Sequence, residues 1–344
     1  MALSPGKIKG LENLSNDRGV IAAAAMDQRG SLKKAIGAAS GAGVSDEQLQ
    51  EFKSLVSEVL TPHASAILLD PEYGLPAARK RAPGTGLLLA YEESGYDNTK
   101  PGRLPDLLPH ESVQRIKAQG ADAVKVLLYY TPFEREEIND IKHAFIERIG
   151  DECRAGEIAF FLEFVGYDAQ GGDEKGVEYA RKKPEIVSGS MAEFSKPQYA
   201  VDVLKVEVPI NMKFVSGTRS SEGGEAAYPR DQALEHMRSA AAEARVPFIY
   251  LSAGVSNAQF TETLELAGEA GVPFSGVLCG RATWADGIPV YARDGAEPFR
   301  RWLQTQGVEN INAVNRCLDA AQSWYSFYGA SSPEALNPQS VTRI

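Results

Sequence analysis

Two lysines of this 344-residue chain lie within apolar segments that predict β-strands. Lys205 stands in the middle of segment 203–209, and Lys125 stands in the same way in segment 124–128. Most strand lysines extend their ammonium group to solvent at a strand end. A lysine that points into the core instead loses hydration, which lowers its pKa towards neutrality and makes its amine a nucleophile for carbonyl carbons. The two lysines therefore favour Schiff-base chemistry.

Glu163 is a carboxylate embedded in the same manner, in segment 159–165. Side chains alternate between the two faces of a strand, so Glu163 shares a face with Phe161 and Val165. Lys205 lies on one face of its own segment, so an acid and an amine could meet inside the fold. The three phenylalanines of segment 159–165 predict a raised pKa for the Glu163 carboxyl, which suits a proton-transfer role.

Short apolar segments that predict strands recur along the whole chain. They cover residues 20–26, 66–69, 86–91, 124–128, 159–165, 203–209, 247–251 and 276–280. Amphipathic helices are predicted between most of them. One begins after a Ser45 cap, and others cover 134–152, 229–244 and 256–270.

About eight strand and helix units in a chain of this length predict an α/β fold, the (β/α)8 TIM barrel. The main alternative is a doubly wound open sheet, but no Gly-x-Gly-x-x-Gly motif follows the first predicted strand. We predict one barrel domain over residues 1–330. Residues 331–344 are expected to be a loosely held carboxyl-terminal tail.

The charge and hydropathy of the chain indicate which partners and which cellular location to expect. A formal net charge of −10 and a pI near 5.1 argue against nucleic acid or an anionic membrane as a partner. No apolar segment approaches the roughly 20 residues of a membrane span, and the first residues lack the apolar core of a signal peptide. The chain is therefore expected in the cytoplasm. The sequence permits a homo-oligomer without specifying one.

Cysteine and histidine positions give no sign of a metal site or a disulfide framework. Cys153, Cys279 and Cys317 are odd in number and lack CxxC spacing, which fits free thiols in a reducing compartment. The four histidines form no HxH or HExxH cluster. We expect neither a metal nor another cofactor.

Polar and small residues follow several predicted strands, and the carboxyl ends of barrel strands are where active sites form. Any one of these residues could be a turn or a helix cap, but their shared position favours a site. Small residues after the seventh strand and an arginine after the eighth suit a phosphate group. The set comprises Asp27, Gln28 and Arg29 after strand 1, Asp70 after strand 2, Glu92 after strand 3, Ser252, Ala253 and Gly254 after strand 7, and Gly280 and Arg281 after strand 8.

Four stretches of the chain resemble the class I tagatose-1,6-bisphosphate aldolases, and the likeness runs from about residue 7 to about residue 328. They read Met-Asp-Gln-Arg-Gly-Ser-Leu at 26–32, Leu-Asp-Pro-Glu-Tyr-Gly at 69–74, Asp-Val-Leu-Lys-Val-Glu-Val-Pro at 202–209 and Gly-Val-Leu-Cys-Gly-Arg-Ala-Thr-Trp at 276–284. That family has a (β/α)8 barrel. It cleaves ketohexose bisphosphates to dihydroxyacetone phosphate and glyceraldehyde 3-phosphate without a metal ion.

The resemblance implies a role for each matching residue. Lys205 is similar to the Schiff-base lysine and Glu163 to the proton-transfer group, with Lys125 and Asp27 as supporting active-site residues. The phosphorylated sugar is expected to contact Gln28, Arg29, Asp70, Ser252, Ala253, Gly254, Gly280 and Arg281, of which Ser252, Gly280 and Arg281 resemble the ligands of the ketone-side phosphate.

Alternative functions share much of this set of residues. The chain could cleave a sulfosugar phosphate or fructose 1,6-bisphosphate instead. A non-catalytic phosphosugar-binding protein on the same scaffold would keep the loops around Ser252 and Arg281, but it would not need both Lys205 and Glu163. The presence of both favours an enzyme.

Overall fold

The computed structural model describes residues 3–97 and 99–336, and within them eight parallel strands close into a barrel. In chain order the strands are β1 (Ile21–Met26), β2 (Ala66–Leu69), β3 (Gly86–Ala90), β4 (Ala123–Tyr129), β5 (Ala159–Val165), β6 (Val203–Val206), β7 (Phe248–Leu251) and β8 (Gly276–Cys279). Each strand pairs with its sequence neighbours, and β8 closes the barrel on β1. The predicted (β/α)8 barrel is confirmed.

Helices form the outer layer. They are α1 (Pro5–Leu14), α2 (Gly30–Ser40), α3 (Asp46–Leu60), α4 (Leu75–Ala78), α5 (Val113–Ala118), α6 (Glu136–Gly156), α7 (Val177–Phe194), α8 (Arg230–Ala242), α9 (Asn257–Glu269), α10 (Arg281–Trp284), α11 (Ile288–Asp294), α12 (Ala296–Trp302) and α13 (Val308–Cys317). A π-helical segment, Leu303–Gly307, joins α12 to α13.

Two of the predicted helix starts are fixed by capping boxes. Ser45 accepts a hydrogen bond from the Gln48 N–H, and the Gln48 side chain bonds back to the Ser45 backbone. Ser256 and Gln259 repeat this arrangement at the start of α9. Such reciprocal bonds satisfy N–H groups that the first helical turn would otherwise leave unpaired.

α6 and α7 are two of the helices that differ from the sequence expectations. α6 continues to Gly156, beyond the predicted end at 152. α7 was not predicted and contains Pro184 in its interior, a position at which proline usually breaks a helix. Pro184 is buried, and α7 packs along α8. We infer that this tertiary contact outweighs the local preference.

The strand sequences are apolar throughout because both faces of a parallel barrel sheet are covered. One face packs against the helices, and the other fills the barrel interior. In β1 the interior positions are Ile21, Ala23 and Ala25, so the alternation has a period of two residues. At the amino-terminal end, Leu11 of α1 and Trp324 complete this interior cluster and close the barrel.

The carboxyl-terminal residues are only partly described. Pro333–Ala335 form a 3₁₀ turn, and Leu336 packs against the interior cluster. Residues 337–344 of the predicted tail lie outside the described residues, so the division into a domain and a loose tail stays a prediction. No helix in the described ranges is long and apolar enough to cross a membrane.

Candidate active site

The polar residues at the carboxyl-terminal end of the barrel continue the inward-facing positions of the strands. In β5, Ala159 and Phe161 fill the barrel interior, and Glu163 follows with the same period of two. In β6, Val203 is interior and Lys205 follows. The strand register pairs Glu163 directly with Lys205, so the predicted meeting of acid and amine is confirmed.

Lys205, Glu163 and Lys125 form one buried contact network. Glu163 Oε2 lies 2.8 Å from Lys205 Nζ and 2.8 Å from Lys125 Nζ. Lys125 is fully buried, whereas Lys205 is 4% exposed and Glu163 is 6% exposed. One carboxylate oxygen therefore connects the two predicted catalytic lysines.

Two further carboxylates surround Lys125. Its Nζ donates to Asp27 Oδ2 at 2.9 Å and to Glu92 Oε1 at 2.7 Å. Asp27 follows Ala25 with the inward phase of β1, and Glu92 follows β3. The Lys125 ammonium thus faces three carboxylates, which matches its three N–H donors.

The charges of this network reverse two sequence expectations. Burial alone would lower the pKa of Lys125, but Asp27, Glu163 and Glu92 raise it well above its ordinary value, so Lys125 is a charged group and not a neutral amine. Burial would likewise raise the pKa of Glu163, but Lys125 and Lys205 hold it below its ordinary value. The expectation that burial among phenylalanines gives Glu163 a raised pKa is wrong, because the attraction of Lys125 and Lys205 together outweighs the effect of burial. The pKa of Asp27 is lowered in the same way.

A cavity of about 560 Å³ opens above this network. Glu163 and Lys125 line it, whereas Lys205 is not among the lining residues. Lys205 lies directly beside the lining residue Glu163, which it contacts at 2.8 Å. The other lining residues come from the strand ends and the loops after them: Asp27, Gln28, Arg29, Gly30, Ser31, Glu92, Glu93, Ser94, Gly95, Leu127, Tyr129, Val165, Glu207, Leu251, Ala253 and Arg281.

Unused hydrogen-bonding atoms cluster on the wall formed after β1 and β3. Within the described residues, Asp27 Oδ1, Gln28 Oε1, Arg29 Nε and Glu92 Oε2 are buried without a partner. A buried polar atom is normally paired, so four such atoms in one wall point to a polar ligand. Three of them accept hydrogen bonds, which suits the hydroxyl groups of a sugar.

Arg29 is held in place by two other contacts. Its guanidinium donates to Glu72 Oε2 at 2.6 Å and to the Glu92 carbonyl at 2.7 Å. The arginine is almost completely buried but still lines the cavity. It therefore offers a fixed cation near the unpaired acceptors.

The predicted phosphate loops meet on the opposite side, after β7 and β8. Arg281 is exposed and lines the cavity together with Ala253. Ala253 and Gly254 both have positive φ angles, +49° and +78°. A Cβ atom at Gly254 would lie 2.6 Å from the Arg281 guanidinium carbon, so only glycine lets the guanidinium pack there. Ser252 is buried and, like Gly280, is not a lining residue.

Asp70 lies away from the cavity. It forms a fully buried ion pair with Lys53, and its second oxygen accepts a hydrogen bond from the Tyr73 N–H at 2.7 Å. It is not among the lining residues. Asp70 therefore does not contact the cavity, because its carboxylate is already occupied by Lys53 and by the turn after β2.

Among the lining residues to which the sequence analysis gave no chemical role, three polar ones lie at inward-facing positions: Glu92, Tyr129 and Glu207. Glu92 was noted there only as a strand-end residue, and Tyr129 and Glu207 were not singled out as site residues. Tyr129 lies four residues after Lys125 and Glu207 lies two residues after Lys205, so each shares the inward face of its strand. Glu92 lies four residues after Leu88, which faces the barrel interior. The alternation is therefore the signal that could have found all three.

Between residues 3 and 336, Asn98 aside, no group of three or more His, Cys, Asp or Glu side chains is placed to hold a metal ion. The network can instead supply an amine nucleophile in Lys205 and a proton-transfer group in Glu163. Lys125 and Asp27 supply fixed charges beside them.

Comparison with known proteins agrees with this chemistry. A family model described as DeoC/LacD family aldolase matches residues 21–286. The chain is 54% identical to the tagatose 1,6-diphosphate aldolase of Listeria innocua over 95% of this chain and 96% of the relative. It is 52% identical to tagatose 1,6-diphosphate aldolase 2 of Enterococcus faecalis, over 95% and 98%. It is 50% identical to the tagatose 1,6-diphosphate aldolase of Staphylococcus aureus, over 94% and 99%. This chain belongs to the DeoC/LacD family of aldolases.

Proposed function

We propose that this protein is a class I aldolase that cleaves tagatose 1,6-bisphosphate to dihydroxyacetone phosphate and glyceraldehyde 3-phosphate through a Schiff base on Lys205. The observation that carries the proposal is the contact of Lys205 Nζ with Glu163 Oε2 at 2.8 Å, directly beneath a cavity that Glu163 lines. The names of the relatives supply the substrate.

The mechanism begins at the C2 ketone. Lys205 gives a proton to solvent water and attacks this carbon; the carbinolamine hydroxyl then takes up a proton from solvent and leaves as water, which gives an iminium ion. Glu163 takes the proton of the C4 hydroxyl, the C3–C4 bond breaks, and its electron pair moves towards the iminium nitrogen to give an enamine. Glyceraldehyde 3-phosphate leaves. Glu163 then returns its proton to the enamine at C3, and hydrolysis of the resulting imine releases dihydroxyacetone phosphate and regenerates Lys205.

The surrounding charges support this sequence. Glu163 is ionised when substrate arrives, because Lys125 and Lys205 keep its pKa low. Once Lys205 has become an imine, Lys125 remains beside Glu163 as a cation at 2.8 Å. Lys125 therefore orients the carboxylate throughout the reaction, with Asp27 and Glu92 holding Lys125 in turn.

Substrate recognition divides between two walls of the cavity. Arg281 and the backbone of Ala253 suit the ketone-side phosphate, because a guanidinium forms charge-assisted hydrogen bonds with phosphate oxygens. Asp27 and Gln28 have acceptor oxygens without protein partners, and we assign them to sugar hydroxyls. Asp70 is expected to act through Lys53 and not by contact with the sugar.

Two alternative functions differ from this proposal: one has another substrate, and the other has no catalysis. An aldolase of a sulfosugar phosphate or of fructose 1,6-bisphosphate would need the same Lys205 and Glu163. A phosphosugar-binding protein without activity would not need the two side chains in contact, so their 2.8 Å contact favours an enzyme.

A substrate panel tests the proposal. We expect kcat/KM for tagatose 1,6-bisphosphate to equal or exceed that for fructose 1,6-bisphosphate and to exceed that for a sulfofructose phosphate. A chelator should leave these values unchanged, and Lys205→Ala should abolish cleavage. Preference for the sulfosugar would change the substrate assignment, and activity that needs an added divalent ion would contradict the Schiff-base mechanism.

We further propose that the enzyme acts in the cytoplasm on a phosphorylated sugar, with no nucleic-acid or membrane partner. Cys153, Cys279 and Cys317 are unpaired thiols, which supports a reducing compartment.

A further inference from the structure

Lys53 of α3 is a fully buried lysine outside the cavity that contacts the backbone of the active site. Its Nζ donates to the Met26 carbonyl at 2.7 Å and to the Gln28 carbonyl at 2.8 Å. The third contact is with Asp70. All three N–H donors of the ammonium are therefore used.

The two carbonyls stand on either side of Asp27. Because each peptide unit is planar, fixing both carbonyl directions restricts the backbone torsions of Asp27 and Gln28, the two residues between the fixed peptide planes. Asp27 directs its carboxylate to Lys125, and Gln28 lines the cavity. Burial would raise the pKa of Asp27, but Lys125 and Lys205 lower it, and Lys53 adds a smaller effect in the same direction.

We infer that Lys53 is a positioning residue of the aldolase. Its ammonium holds the end of β1 so that Asp27 and Gln28 face the sugar, and it does so without touching substrate. Asp70 holds Lys53 in this arrangement. The inference rests on the proposed function, because it assigns Asp27 and Gln28 to catalysis and substrate binding.

The chain contains a matched pair of residues away from the cavity. Lys7 of α1 contacts Asp202 at 2.7 Å and the Ala200 carbonyl at 3.4 Å, and both side chains are buried. Asp202 accepts a backbone hydrogen bond from Phe160, as Asp70 accepts one from Tyr73. The Lys7 pair borders no residue of the cavity, so it serves as a control for the loss of a buried ion pair.

The experiment compares Lys53→Met/Asp70→Asn with Lys7→Met/Asp202→Asn, each as the full chain. Replacing both partners avoids an unpaired buried charge, which could prevent folding. Both variants should unfold at lower temperature than the wild type. Only the Lys53 variant should lose kcat, by about 10- to 100-fold, because displaced catalytic groups cost rate steeply. Equal kcat values in the two variants would overturn the inference.

A double-mutant cycle measured on kcat distinguishes loss of positioning from a nonspecific loss of activity. In an Asp27→Asn/Gln28→Ala background the Lys53 substitution should lower kcat by less than about threefold, because the groups that Lys53 positions are already gone. Additive losses would overturn the inference.

A crystal structure of the Lys53 variant gives a readout that does not depend on activity. We expect the Asp27–Lys125 contact to be lost or displaced from its 2.9 Å distance. An unchanged contact would overturn the role of Lys53 even if the wild type cleaves tagatose 1,6-bisphosphate. A wild type without cleavage would instead contradict the proposed function, and the crystallographic result would still decide the inference.

Discussion

Glu163 is the residue on which both lysines of the network converge, through one carboxylate oxygen. Glu163→Gln keeps the shape of the side chain but cannot accept a proton. We therefore predict that turnover falls by about two or more orders of magnitude, while imine formation with dihydroxyacetone phosphate persists. Steady-state kinetics and borohydride trapping measure the two effects separately.

The control is Glu262→Gln, since Glu262 is a similarly buried glutamate that binds the Ser220 backbone outside the cavity. Its turnover should stay at the wild-type level. If a folded Glu163→Gln enzyme turned over as fast as this control, the proton transfer would belong to another residue, with Asp27 and Glu92 as the nearest carboxylates.

Substitution of Arg281 tests whether the loops after β7 and β8 bind the ketone-side phosphate. Its guanidinium is exposed at the cavity, so Arg281→Ala should remove charge-assisted hydrogen bonds without disturbing the core. Binding of dihydroxyacetone phosphate should weaken about ten- to a hundredfold, while binding of unphosphorylated dihydroxyacetone changes little. Arg301→Ala, which removes an exposed arginine of α12, should affect neither ligand. If Arg281→Ala weakened the binding of both ligands equally, Arg281 would contact the ketone region of the substrate or stabilise the fold instead.

The lowered pKa values of Asp27 and Glu163 predict an effect of acid on stability. A carboxyl with a depressed folded pKa stabilises the protein above its unfolded pKa, and this contribution is lost as the pH falls, because the unfolded chain takes up the proton first. Between about pH 5 and about pH 3 the free energy of unfolding should fall more steeply for the wild type than for Asp27→Asn/Glu163→Gln. Urea titrations measure both slopes, and equal slopes would contradict the low pKa values.

At the scale of elements, α1 closes the amino-terminal end of the barrel through close backbone packing. A Cβ atom at Gly10 would lie 2.4 Å from the Asp122 carbonyl oxygen. Replacing glycine by alanine normally stabilises a helix. Here the collision of the new Cβ atom with the Asp122 carbonyl makes the substitution destabilising. We predict that Gly10→Ala lowers the free energy of unfolding by about 1–3 kcal/mol and leaves kcat unchanged, since α1 lies at the end opposite the cavity.

Gly43→Ala is the matched control, because a Cβ atom there would meet no atom within 4 Å. Its free energy of unfolding should stay within about 0.5 kcal/mol of the wild type. Denaturant unfolding compares the two variants. A Gly10→Ala protein as stable as the control would show that α1 can move away from the barrel without loss.

The strands could be predicted from sequence because burial on both faces makes each one a short apolar segment. The period of two predicted the face on which Glu163 and Lys205 each lie, whereas their contact depends on the pairing of β5 with β6. α7 could not be predicted, since Pro184 argues against a helix until packing on α8 is known. Local sequence gives element type, and tertiary contacts decide the exceptions.

At the scale of the whole molecule, the barrel register decides which charges face each other. Lys125, Asp27 and Glu163 could be identified from sequence as residues of the site. The convergence of three carboxylates on Lys125 could not be predicted in this way. That convergence depends on closure of β8 on β1 and on the pairing of β3, β4 and β5. The directions of the Lys125 and Glu163 pKa shifts were predicted wrongly for this reason.

The pairing of Asp70 with Lys53 was hidden in the same way. Asp70 follows a strand, as a substrate-binding residue would, and no feature of its neighbours reveals a lysine that reaches it from α3. An acidic strand-end residue is therefore ambiguous until the helix packed behind it is known.

The central claim is that Lys205 is the nucleophile. The most direct measurement is borohydride reduction of the enzyme with dihydroxyacetone phosphate, followed by peptide mass mapping. We expect a single reduced adduct on the peptide that contains Lys205, and none in Lys205→Ala. An adduct on Lys125, or no adduct in an enzyme that still cleaves its substrate, would contradict it.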